Sequence, residues 1–301
     1  MSKLEVAVSI GDINGVGLQI ALQSHAKLSM FCKPFYMCDY PLLQEASTLL
    51  NLKNPILEKD CLPLNLPFKI KPGKIDSISG AYSFASFKKA LEVSDRVLTL
   101  PIHKKAWQLA GANYAGHTEY LRELYGEGIM MLGCPSMFVA LFSDHVPLKE
   151  VSSLISKESF KDFLLRFYKD YLKGRDIKEV CVLGFNPHAG DGGVLGDEDF
   201  LIQDAIKELN LDLGKDLFIG PYPPDAAFIP SNRARFSHFI SIYHDAGLIP
   251  LKALYFEESI NVTLGLPIKR ASVDHGVAFD IAYKGAKVNT KSYINAAKFL
   301  V

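Results

Sequence analysis

The 301-residue chain has no charge imbalance: 33 lysines and arginines offset 33 aspartates and glutamates. No global basic field draws it to nucleic acid or to an anionic membrane surface, so any recognition of anions must be local. No apolar run has the length and purity of a transmembrane helix, and the opening "MSKLEVAVSIGD" enters a strand-like alternation where a signal peptide would have an apolar core. A cytoplasmic location is the expectation. Cysteine is scarce: Cys32, Cys38, Cys61, Cys134 and Cys181 are odd in number and form no CxxC pair, which argues against a disulfide framework and a thiolate zinc site. They read as small apolar fillers. The dinucleotide fingerprint G-x-G-x-x-G, the Walker A loop and the HExxH zinc motif are also missing.

What is present is alternation. Strands are expected at 4–10, 33–39, 96–102, 179–185, 217–222, 239–243 and 260–267, and helices at 15–28, 41–52, 79–93, 198–210 and 246–256. The clearest helix is 157–174, where Phe160, Phe163, Leu164, Phe167, Tyr168 and Tyr171 share one face and Gly174 supplies the stop. Residues 54–73, rich in proline and lysine, are expected as a loop with short strands, and 277–283 and 291–301 as closing helices. The length suffices for two domains. This is an α/β pattern, predicting a mainly parallel sheet with helices on both faces.

In such folds ligands bind outside the carboxyl ends of the strands, so the loops there are the site candidates. The first is "SIGDINGVGLQIA", whose glycines suit close approach to a ligand. The second joins "PIHKKAW" to "YAGHTEYL", with Thr118 as a candidate N-cap. The third is "GFNPHAGDGGVLGDEDF", whose glycines suit backbone contact with a pyrophosphate, while Asp197, Glu198 and Asp199 read as a capping run on the next helix. The fourth is "YHDAGLIPLK". His188 and His244 in the last two, with His145 in "SDHVPL", each follow a strand-like run. Three such histidines on one sheet edge would make a divalent-metal site with an open position, but spacing alone also allows ordinary hydrogen-bonding histidines.

Taken in order, "GDINGVG", "PIHK", "GHTEYL", "NPHAGDGGVLGDE", "GPYPPD", "YHDAGLIPLK" and "NVTLGLPIKRASVDHG" closely resemble the 4-hydroxythreonine-4-phosphate dehydrogenase family of pyridoxal phosphate biosynthesis, over nearly the whole chain. The resemblance implies a fold like that of isocitrate and isopropylmalate dehydrogenases, with two α/β/α domains flanking a cleft. We expect residues 1–109 with 282–301 in the first domain and 110–281 in the second. It also implies a homodimer whose active site is shared between subunits, and NAD-dependent oxidation of 4-phosphooxy-threonine followed by loss of carbon dioxide. NAD over NADP rests on the resemblance alone.

Carried over motif by motif, the family's metal ligands are His145, His188 and His244, and its substrate contacts are His117, Thr118, Lys252, Asn261 and Arg270. Lysine and arginine supply charge, and arginine can grip an oxyanion bidentately. Three imidazoles suit zinc, cobalt and, less well, magnesium; an ion held by neutral ligands keeps its charge and acidifies a bound hydroxyl. Asp245 is the first candidate for the base, followed by Lys104 and Asp274, and each has an orienting role as its alternative. Gly190, Gly192 and Gly193 are the dinucleotide candidates. The sequence departs from the family at Leu18 and Gln19, where Pro-Glu is usual, and at Asn14, Ala246 and Ile249. Altered local packing or cofactor contacts are expected from the first three. Dehydrogenation of threonate or erythronate 4-phosphate, a metal-dependent hydrolase and a phosphate-binding acyltransferase are the competing readings.

Overall fold

The computed structural model describes residues 3–301. Along them run the strands β1 (Glu5–Ser9), β2 (Lys33–Tyr36), β3 (Arg96–Thr99), β4 (Ile129–Cys134), β5 (Met137–Leu141), β6 (Val180–Leu183), β7 (Phe218–Tyr222), β8 (His238–Ser241), β9 (Ile260–Leu264) and β10 (Lys269–Val273). Two compact units divide them, one running to Glu127 and resuming over Ile260–Val301, the other Gly128–Ser259. In the first unit the strand order is β2-β1-β3-β10-β9, parallel except for the β9/β10 pair. In the second it is β4-β5-β8-β6-β7, parallel except for β4/β5. The mainly parallel α/β sheet expected from the alternation is therefore present.

The boundaries expected at 109 and 281 both fall inside the first unit. Two long-range packings put them there. Strand β10 pairs with β3 along four residues, which ties the β9/β10 hairpin to the first unit. Helix His117–Tyr125 brings Tyr120 edge-on against Phe84 and Phe87 of helix Ser77–Val93. Neither tie is visible in local periodicity, because a crossover pairing leaves no mark on the intervening sequence.

Each unit buries its own core. The first packs Phe87, Trp107, Val97 and Leu121 together, and Trp107 Nε1 donates to Ser83 Oγ at 2.8 Å, so the buried indole is satisfied. The second packs Val139, Leu183, Phe236, Phe239, Leu248 and Leu251. Strands β4, β5 and β6 are buried at every position, as strands covered on both faces are. The helix expected over 157–174 is α-helical over Lys157–Phe167, capped by Ser156, whose hydroxyl accepts from Ser159 N. It then widens into a π turn over Tyr168–Leu172, which keeps Tyr171 and Leu172 buried while Tyr168 is only half-buried.

Three local expectations change. Residues 277–283 are not helical and turn only from 279 onward, because Ala278 and Tyr283 have φ of 47° and 60°, which a right-handed helix excludes. Residues 54–73 hold one 3-10 turn, Glu58–Asp60, and a single bridge from Cys61 to Tyr36. Strands β4 and β10 had not been anticipated; β10 sits in "IKRASVDHG", which reads as a ligand motif before it reads as a strand. Among the described residues no helix is long and apolar enough to cross a membrane.

Candidate active site

In the first unit the strand registers align a polar row. Ser9 on β1 lies opposite Thr99 on β3, Thr99 opposite Ser272 on β10, and Ser272 opposite Asn261 on β9. All but the half-buried Asn261 are buried, at the carboxyl ends of β1, β3 and β10. Two residues before Ser272, and so on the same face, stands Arg270, which is only 4% exposed. Its Nε donates to Thr99 Oγ1 at 3.1 Å and its Nη2 to Nδ1 of His117 at 3.3 Å.

Arginine has no acceptor, so His117 Nδ1 must accept and the neutral ring carries its proton on Nε2. His117 is held neutral: burial, and then the Arg270 charge, keep it well below the usual imidazole range. Its ring meets Phe87 edge-on at 4.4 Å and Trp107 at 5.3 Å. Burial lowers Arg270 to about 10, which leaves it charged at neutral pH. Arg270 Nη1 and His117 Nε2 have no hydrogen-bond partner in the protein. Two buried donors left unmade beside one full charge are costly unless an anion uses them.

Next to this row the first glycine loop is pinned by the residues that depart from the family pattern. Asn14 Oδ1 accepts from Lys71 N at 2.7 Å and Nδ2 donates to Lys74 O at 2.8 Å, tying the loop to the 71–74 turn. Gln19 Nε2 donates to Ala286 O at 2.9 Å. The altered residues have thus become local packing ties. At Gly15 a Cβ would meet Val277 O at 2.7 Å, so glycine is required for close approach. Burial pushes the Asp12 carboxyl up to about 6, against hydrogen bonds from Asn14 N and Ser79 Oγ.

In the second unit the three candidate ligands follow three adjacent parallel strands: His145 after β5, His244 after β8 and His188 after β6. Ser143 ties the first two loops, its N and Oγ both donating to Ile242 O. The His145 and His244 rings lie 5.9 Å apart between centroids. Asp245 Oδ1 stands 2.7 Å from His244 Nδ1, which orients that ring and leaves Nε2 as its outward nitrogen. Two imidazoles so placed fit two positions on one divalent ion. His188 is exposed on its own loop, and among the described residues no three His, Cys, Asp or Glu side chains gather as a ligand set.

That loop has an unusual backbone. His188, Ala189, Gly190, Asp191 and Gly192 all have φ between 45° and 81°, a turn of left-handed helix. For non-glycine residues this costs roughly 1–2 kcal/mol each. Asp197 stands at the N-cap position of the next helix without a side-chain cap bond, and Glu198 and Asp199 lie in its first turn, where their charge complements the dipole as expected. The buried Asp199 carboxylate also accepts from Phe185 N at 2.8 Å, Asn186 N at 3.0 Å and Asn186 Nδ2 at 3.1 Å, and Glu198 accepts from Asn186 Nδ2 and Ser152 Oγ. Gly190 gives close approach within this loop, since its Cβ would meet Gly196 O at 2.8 Å, whereas Gly192 faces open space. A hollow of about 260 Å³ beside His188 is walled by Phe185 and Tyr243. Asp199→Ala strands two part-buried backbone N–H groups and should lower stability by about 1–3 kcal/mol. A shift in the urea midpoint worth less than about 1 kcal/mol would show that Asp199 does not hold the loop.

Thr118 lies in the first turn of helix His117–Tyr125, whose N-cap is Gly116, so Thr118 is no cap. Asn261 Oδ1 is buried without a partner. Lys252 is half-buried on helix His244–Tyr255, and Lys104 is exposed at the start of helix Lys104–Leu109. Asp274 N donates to Ser292 Oγ at 3.3 Å. The sequence motifs pass over Thr99, and they do not show the bonds of Asp199 to the 185–186 backbone. The signal for Thr99 was a lone hydroxyl in the apolar run "RVLTLPI", matched by Ser9 at the end of β1.

Fold and geometry define the class: an α/β protein with parallel strands in both units, carrying a buried arginine–histidine pair with spare donors. A family model described as pyridoxal phosphate biosynthetic protein PdxA matches residues 30–300. The 4-hydroxythreonine-4-phosphate dehydrogenase of Sulfurimonas denitrificans is 51% identical over 304 residues, spanning 99% of this chain and 97% of its own. That of Helicobacter pylori strain P12 is 49% identical over the whole of both chains. The solved structure of the Klebsiella pneumoniae enzyme superposes with a TM-score of 0.80 at 27% identity, covering 100% of this chain and 97% of that one. The chain belongs to the PdxA family.

Proposed function

We propose that this protein oxidises the secondary alcohol of 4-phosphooxy-L-threonine with NAD. The product, 2-amino-3-oxo-4-phosphooxybutanoate, loses carbon dioxide to give 3-amino-2-oxopropyl phosphate, on the way to pyridoxal 5′-phosphate. The observation that carries this reading is the buried Arg270–His117 pair with its two unpartnered donors, in a chain that belongs to the PdxA family. Substrates of the proposed class carry both a phosphate and a carboxylate, and a desolvated guanidinium beside a neutral N–H donor suits either.

In this reading Arg270 and His117 bind the anionic group, and Thr118, Asn261 and Lys252 supply further substrate contacts. His145, His188 and His244 hold a divalent ion, zinc, cobalt or magnesium, with Asp245 orienting His244. When bound, such an ion supplies a Lewis acid for the alcohol oxygen. Asp245, Lys104 and Asp274 are the proposed acceptors of the hydroxyl proton, and Gly190, Gly192 and Gly193 the backbone that meets the dinucleotide. The working form is a cytoplasmic homodimer sharing its active site.

The test is NADH production from 4-phosphooxy-L-threonine with and without a chelator. Turnover that needs NAD and disappears with the chelator is expected. Turnover without NAD would favour a hydrolase, and full activity in chelator would sink the metal assignment. Threonate and erythronate 4-phosphates belong in the same substrate panel, since faster turnover of either would reassign the substrate.

A further inference from the structure

We propose that Thr99 is a positioning residue which sets the plane of the Arg270 guanidinium and so aims its free Nη1 at the substrate's anionic group. The inference rests on the proposed substrate role of Arg270 and adds to it a residue outside the substrate contacts. A guanidinium is a rigid planar fork in which Nε and one terminal nitrogen share an edge. Here the protein holds two donors of the plane, Nε through Thr99 Oγ1 at 3.1 Å and Nη2 through His117 Nδ1 at 3.3 Å. Nη1 is left without a partner. Two attachments fix the orientation of a plane. With one, it turns about the remaining hydrogen bond.

Thr99 suits this task in three respects. It is fully buried at the end of β3, between Ser9 on β1 and Ser272 on β10, so its backbone is held from both sides. Its β-branched side chain has restricted rotamers, which fixes where Oγ1 sits. It is also neutral, as His117 is, so the guanidinium is oriented without being neutralised and its charge stays available to an anion. A carboxylate at the same place would orient Arg270 but would compete with the substrate.

The test compares Thr99→Val, which keeps the shape and removes the acceptor, with Thr99→Ser, which restores the acceptor, and with Arg270→Ala. Kinetics with 4-phosphooxy-L-threonine should show KM raised about tenfold or more in Thr99→Val, with kcat within about twofold, and Thr99→Ser close to wild type, as for loss and return of one bond to a charged group. Selective ¹⁵N labelling of histidine in the wild-type protein adds a reading that does not depend on any variant folding. His117 should appear as the neutral Nε2–H tautomer, and an Nδ1–H tautomer would overturn the geometry. If Arg270→Ala raises KM while Thr99→Val does not, or if Thr99→Ser is as impaired as Thr99→Val, the positioning role is overturned and the anion site stands. If Arg270→Ala leaves KM unchanged, both fall.

Discussion

Arg270→Ala is expected to lower kcat/KM for 4-phosphooxy-L-threonine by roughly two to three orders of magnitude, chiefly through weaker capture of the substrate. The guanidinium is buried, held by two neutral partners and left with one donor free, so its interaction with an anion is made where water does not compete. Truncating one member of such a buried charged contact costs about 2–5 kcal/mol, and each factor of ten corresponds to about 1.4 kcal/mol. Arg270→Lys should recover little of the loss, because an ammonium on a flexible stem cannot meet Thr99 and His117 along a planar edge. Steady-state kinetics checks both, with a thermal melt to confirm that each variant is folded. An apparent substrate affinity unchanged in Arg270→Ala would remove Arg270 from the substrate site.

His188→Ala should reduce NADH production by about three orders of magnitude, the scale of a Lewis acid's several kcal/mol of charge stabilisation. His188 is the candidate ligand whose position costs the most to maintain. It lies in the left-handed turn, at φ 54° and ψ 24°, and the loop is held by Asp199 and Glu198. Strained backbone of this kind persists where the surroundings over-determine it, and it gathers at functional sites. The accompanying measurement is a Co²⁺ or Zn²⁺ titration by calorimetry. Wild-type protein should bind, and His188→Ala should bind at least tenfold more weakly. Normal turnover at saturating substrate in His188→Ala would exclude the residue from the metal site.

Much of this was legible in the sequence because it is local. Alternating apolar strands and amphipathic helices report burial directly, and helix 157–167 appeared with the buried face its phenylalanines indicate. The strand order β5-β8-β6 has His145, His244 and His188 follow three adjacent strands, as their places after strand-like runs suggest. What stayed hidden depended on partners distant in sequence. Asp199 reads as part of the acidic first turn of a helix, but its role as a clamp does not show, because the backbone N–H groups it serves lie 13 and 14 residues away. Asn14 and Gln19 read as unexplained departures and are ties to residues 71–74 and 286. The boundary near 109 missed because aromatic packing holds helix His117–Tyr125 to the first unit.

By itself, then, the order of residues determined the α/β class, the family, the strand-end loops and the histidine and arginine candidates, since each follows from period, turn chemistry or motif over short distances. The tertiary structure alone decided which of these meet. Arg270, His117 and Thr99 come from three separated segments, and only the β3/β10 pairing and the packing of helix His117–Tyr125 bring a guanidinium, an imidazole and a hydroxyl within hydrogen-bond reach. Hydrogen bonds act over about 3 Å, and no local pattern in a chain encodes contact at that distance between residues 171 positions apart.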